Sequence, residues 1–134
     1  MDKSNELLTT TQWIAKHFPS LETSFFDGKN ASGKIVTNPT YGFGTLIQAG
    51  VNGGKPTFQL GVSANSTGIT LSFIGIRNRI DLSELCHGIG NASITKYCIK
   101  FTTFKALNQN VLQHVIKTIL NYTDTKKNDP LEYH

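Results

Sequence analysis

Residues Tyr41–Ile76 read YGFGTLIQAGVNGGKPTFQLGVSANSTGITLSFIGI, and the alternation inside this stretch decides the fold. Apolar and polar residues take turns with the two-residue period of a half-buried strand. The pattern breaks at Gly- and Asn-bearing points where the chain must turn. From Thr57 to Ser63, Phe58, Leu60 and Val62 are expected to point one way and Thr57, Gln59 and Ser63 the other. Ile69, Leu71 and Phe73 repeat the pattern after the turn Asn65-Ser66-Thr67-Gly68. The connections at Gly50–Gly54 and Asn65–Gly68 are hairpin-sized and carry glycine, which favours antiparallel neighbours. Two such strands side by side make a sheet with one oily face, and another layer must cover it.

The two ends of the chain supply that layer. Ser4–Phe18 predicts a helix, with Ser4 as N-cap and Leu7, Leu8, Ile14, Ala15 and Phe18 near one face. Thr9, Thr10 and Thr11 weaken its local propensity, so packing must hold it, and Trp13 falls at the edge of the apolar stripe. Pro19 ends this helix or begins a second short one through Leu21, Phe25 and Phe26. Asn108–Tyr122 predicts the second cover helix: Val111, Leu112, Val115, Ile116, Ile119 and Leu120 form a continuous stripe, with Gln113, His114 and Lys117 towards water. Between them, Lys34–Thr37 suits an edge strand, Phe43–Ala49 and Gly68–Gly75 further strands, Asp81–His87 a turn or two of helix, and Ile94–Phe101 a last strand. The expected architecture is α+β: an antiparallel sheet of about five strands with the N- and C-terminal helices packed on one face, a two-layer sandwich. Residues 1–124 read as a single domain and 125–134 as a polar tail.

A chain of 134 residues is long enough to bury a core without metals or disulfides. Charged residues make up 16%, below the usual quarter or so, and Thr, Asn, Ser and Gly take their place, as in a turn-rich β domain. The formal charge of +4 favours anionic partners in general terms. A dedicated nucleic-acid surface gathers Lys and Arg into a stripe; here only Arg77 and Arg79 cluster, and Lys126-Lys127 sit in the polar tail. Cys86 and Cys98 lack metal or redox spacing, the N-terminus lacks a basic-then-apolar leader, and no run approaches the roughly 18 apolar residues of a spanning helix. The expectation is a cytoplasmic protein with reduced thiols and no membrane partner.

No GxSxG, HExxH or phosphate-loop context occurs; the Asp27–Gly33 segment is a loop by composition. No catalytic residue, cofactor or metal is therefore assigned. Cys98, between Lys96 and Lys100, is the one candidate for thiol chemistry, because nearby ammonium groups favour a thiolate. A soft metal site from Cys86, His87 and Cys98 has no recognisable spacing. Binding is the better reading. If Tyr97, Ile99 and Phe101 pack inward, Lys96 and Lys100 stand on the other face, where Arg77 and Arg79 join them in a basic patch near Tyr41 for a carboxylate or phosphate. An open sheet face also suits a protein partner or a second copy of the chain.

Two segments together resemble the YdhG-like domain of bacteria. One is Tyr41-Gly42-Phe43-Gly44 with the strands Phe58–Val62 and Ile69–Ile74; the other is Leu85–Gly90, Ile94–Phe101 and the helix bearing Val111, Leu112 and Ile116. The resemblance spans about Tyr41–Leu120 and rests on order and spacing. It implies a frataxin-like arrangement and, from some relatives, iron handling as an alternative role. The family's tryptophan ahead of the GFG segment and its basic turn have no counterpart here, where that turn is Ser63-Ala64-Asn65-Ser66. Hard cations want clustered oxygen ligands, and the nine acidic residues are scattered.

Overall fold

A computed structural model of the chain describes residues 3–35, 38–45, 58–74 and 80–126. Helix α1 spans Lys3–His17, followed by strands β1 (Thr23–Phe26), β2 (Thr40–Phe43), β3 (Leu60–Asn65) and β4 (Gly68–Phe73). One turn of helix, α2 (Leu82–Leu85), precedes the hairpin of β5 (Ser93–Ile94) and β6 (Cys98–Phe101). A 3-10 turn at Phe104–Ala106 then leads into α3 (Gln109–Lys126). The strands form one antiparallel, six-stranded sheet in the order β1-β2-β3-β4-β6-β5. The α+β sandwich expected from the sequence is present, with six strands in place of about five.

Cross-strand pairing explains where the core lies. Val62, Leu71 and Ile99 are direct partners across β3, β4 and β6, and all three are fully buried. Leu60 and Phe73 form the neighbouring buried pair, with Phe43 beside them, and Ile69 pairs with Phe101. Ile14 of α1 and Leu112, Val115, Ile116 and Ile119 of α3 close over this one face in a single cluster. Each such side chain contributes about 1.5–3 kcal/mol by leaving water.

Local chemistry sets the boundaries. The Asp81 carboxylate accepts from the Glu84 N–H and caps α2, as its position predicts. Asn108 does the same for α3, accepting from Asn110 and Val111. Two threonines of α1 satisfy their hydroxyls inside the helix: Thr10 donates to the Glu6 carbonyl at 2.8 Å and Thr11 to that of Leu7 at 3.0 Å. Thr10 can therefore be completely buried. The Glu6 carboxylate accepts from the Phe104 N–H and ties α1 to the 3-10 turn. Trp13 sits deeper than the stripe's edge, among His17, Phe18 and Phe104, and its indole N–H is buried without an acceptor.

The structure departs from the sequence expectations at five places. Phe25 and Phe26 belong to strand β1, not to a second helix; a turn closed by Leu21 N–H to Phe18 carbonyl ends the helical path, and Thr23-Ser24-Phe25-Phe26 pairs with β2. Ile94–Phe101 is a hairpin, not one strand, because Thr95 and Cys98 close a turn around Lys96 and Tyr97. Residues 125 and 126, expected in the tail, lie within α3, and of Lys34–Thr37 only an isolated bridge of Ile35 to Lys29 is described. Residues 46–49 of the expected second strand lie outside the described residues.

The fifth departure reverses two side chains. Gln59 N–H donates to the Phe43 carbonyl at 3.1 Å while Leu60 is itself partnered with Phe43. Two residues thus oppose one, and this bulge turns Gln59 inward beside Leu60 and Phe58 outward. Gln59 is buried, and its amide donates to the Thr123 hydroxyl of α3 at 2.7 Å. Gly44, at φ +79°, leaves the space that the Gln59 side chain fills; a Cβ there would collide with it.

A one-sided core makes adjacent residues on β4 energetically unequal. Leu71→Ala is expected to lower stability by about 2–5 kcal/mol in urea unfolding. Thr70→Ala, one residue away on the other face, is expected to change it by no more than about 0.5 kcal/mol. Equal losses would contradict the fold.

Candidate functional site

The face away from the helices is built from two rows of paired residues. One row runs Phe26, Thr40, Ser63, Thr70, Lys100 and Ser93 across the strands; the other runs Ser24, Gly42, Gly61, Ser72 and Cys98. Small hydroxyl side chains and glycine dominate both, and Lys100 is the single charge in either row. The surface is therefore flat, rich in hydrogen-bonding groups, and positive at one corner.

Phe58 crosses the glycine row. A Cβ on Gly42 would lie 2.8 Å from Phe58 Cβ, and one on Gly61 would lie 2.7 Å from its ring Cζ. The two glycines thus make a shallow seat for this side chain, and Phe26 meets its ring edge-on at 5.4 Å between centroids. Both rings are half-buried, so an aromatic patch remains on the open face.

At the far corner a cleft of about 340 Å³ opens between the β3–β4 turn and the β5–β6 hairpin. Its polar lining is Thr67, Thr70, Asn91, Ser93, Lys100 and Thr102. This gathers hydroxyls, one amide and one ammonium, without a carboxylate. Such a set can donate several hydrogen bonds and one charge to an anion.

Of the four residues singled out from the sequence, the three that are described, Tyr41, Lys96 and Lys100, are not brought together. Lys100 lies on the open face. Lys96 belongs to the β5–β6 turn, with its ammonium 5.6 Å from the Tyr97 ring centroid, and lines a separate cleft of about 470 Å³ that also contains Asp81. Tyr41 pairs with Val62 and so sits on the helix-covered side, where its exposed ring meets Phe25 at 5.0 Å. It borders an apolar cleft of about 250 Å³ against Thr11, Gln12 and Ala15 of α1. Arg77 lies outside the described residues. Thr70, Ser93, Asn91 and Phe58 were not singled out, because only the strand register and the bulge show which residues share their face.

The two thiols are also separated. Cys86 is in the core, where burial raises its pKa from 9.0 to about 11; Cys98 is half-buried on the open face, with its sulfur 3.6 Å from the Ser72 hydroxyl. Cys86, His87 and Cys98 therefore do not form one site, and no group of three or more metal-ligating side chains occurs among the described residues. His17 is half-buried, with Nδ1 2.9 Å from the Trp13 carbonyl. No helix among the described residues is long and apolar enough to cross a membrane. Comparison with known families, curated proteins and solved structures returns no match for the chain.

The thiols give a direct check of the two faces. In the folded chain near neutral pH, a disulfide reagent is expected to titrate Cys98 first and Cys86 only on unfolding. A thiol whose pKa is raised by folding gives stability that is complete below about pH 9 and is lost as pH rises through about 11. Cys86→Ala is expected to flatten the fall in urea stability over that window.

Proposed function

We propose that the chain is a small, non-enzymatic binding domain of the cytoplasm that takes an anionic ligand on its open sheet face. The observation carrying this is the corner cleft, where Lys100 stands among Thr67, Thr70, Ser93 and Thr102 with no carboxylate among the described lining residues. An anion entering it exchanges water for charge-assisted hydrogen bonds, which are stronger than neutral ones. The hydroxyls accept as well as donate, so the cleft also suits a ligand that carries hydroxyls of its own.

The reading agrees with the YdhG-like resemblance, which implies a helix–sheet–helix domain without a defined reaction. Iron handling gains no support from the acidic residues. Asp81 is engaged as a helix cap, and Glu84 lies exposed in the same turn.

Titration of ¹⁵N-labelled protein with inorganic phosphate is the test. Amide shifts are expected at Thr70, Ser93, Lys100 and Thr102, weakening with added salt. Lys100→Gln is expected to reduce affinity about tenfold or more, the worth of one charge-assisted hydrogen bond. Shifts confined to other surfaces, or an unchanged affinity in Lys100→Gln, would refute the site.

A further inference from the structure

We propose that the ligand of the open face is a nucleoside monophosphate, with its phosphate at Lys100, its sugar over the small hydroxyl residues and its base against Phe58. This rests on the anion-binding reading above and adds the rest of the molecule to it.

The argument comes from what the register places in line. Lys100 neighbours Thr70 in one row; Cys98 neighbours Ser72 in the other, and Ser72 neighbours Gly61, over which the Phe58 ring lies. Travelling from Lys100 to Phe58 therefore meets a cation, then hydroxyls, then an aromatic ring. Two strand steps and one pair of residues separate Lys100 from Gly61, about 12 Å between Cα positions by ordinary sheet geometry. The lysine side chain shortens that path from one end and the phenyl ring from the other. Nothing bulky intervenes: Ser72 and Cys98 are small, and Gly42 and Gly61 have no side chain.

Charge complementarity and area decide among occupants. The two rows carry one cation and no anion, so a second copy of the same face would bring nothing to neutralise Lys100. Among the described residues of the two rows and the bulge, Phe26 and Phe58 are the large apolar side chains, far short of the roughly 800 Å² per partner that a stable protein interface buries. A long nucleic-acid strand needs a track of cations, and these rows offer one. A single anionic group joined to a single aromatic base matches the inventory.

Three probes on the full-length labelled chain separate the possibilities: inorganic phosphate, adenosine and adenosine monophosphate. The monophosphate is expected to bind about tenfold or more tightly than phosphate, within the range for stacking one base on an aromatic side chain. It should shift Phe58 and Ser72 in addition to Lys100. Phe58→Leu keeps an apolar side chain over the glycines and is expected to return the monophosphate to the affinity of phosphate while leaving phosphate itself unchanged. Lys100→Gln should weaken both. If phosphate binds at Lys100 but the monophosphate is no tighter, this inference fails and the anion site stands. If none of the three binds, both fail. Affinity that climbs with the length of a single-stranded oligonucleotide would replace the mononucleotide with a polymer and overturn the proposal.

Discussion

Val62, Leu71 and Ile99 touch across three adjacent strands with no exposed surface, and every other element is placed by the need to keep them dry. Because successive side chains on a strand point to opposite faces, burying this row commits Ser63, Thr70, Ser72 and Lys100 to the other side. A one-residue slip would exchange the two sets, exposing the aliphatic row and burying a lysine. The register is thereby fixed by the core, and the open face inherits its composition from that choice. The helices follow as well: α1 and α3 must both lie on the aliphatic side, since the other offers them little to cover.

Polar groups refine this arrangement without carrying it. Gln59 is drawn into the core by the bulge opposite Phe43 and reaches Thr123, whose hydroxyl also lies within hydrogen-bonding distance of the Ile119 and Leu120 carbonyls. The link joins the start of β3 to the last turns of α3, where the apolar stripe of the helix thins out. Glu6 joins the first turns of α1 to Phe104 in the same manner. Each helix is thus held along its middle by apolar contact and pinned near one end by a hydrogen bond. The unmatched indole N–H of Trp13 runs the other way and costs about 1–3 kcal/mol if it meets no acceptor.

The layers were legible in the sequence because they depend on periodicity, which is strong in Ile69–Phe73 and in Val111–Leu120. The α2 cap was legible for a similar reason: an Asp before a short apolar run has few other uses. The misread elements share a cause. Phe25 and Phe26 are compatible with a helix or a strand, and pairing with β2 decides between them. The break at Thr95–Tyr97 is hidden because Tyr97 continues the alternation of Ile99 and Phe101 while the backbone turns beneath it. Gln59 and Phe58 were assigned to the wrong faces because a bulge leaves the alternation of the letters intact and changes only the direction of the side chains. For the same reason the candidate site was legible only at Lys100. Tyr41 and Lys96 were near it in the sequence pattern, but the sheet puts one on the other face and the other in a turn.

The composition of the open face is not what stability alone would select. Solvent-facing positions in the middle of a sheet gain from threonine, tyrosine or β-branched side chains that cover neighbours, and glycine there costs backbone entropy and leaves no contact. The central row here is Ser24, Gly42, Gly61, Ser72 and Cys98, close to the poorest set for holding strands together. Phe58 recovers part of the loss by lying over both glycines, but it does so from outside the strand, at the bulge. Lys100, the one charge in the two rows, lies in the neighbouring row beside the corner cleft, so the same sheet that needs its far side oily leaves its near side hydroxylated and positive at one corner.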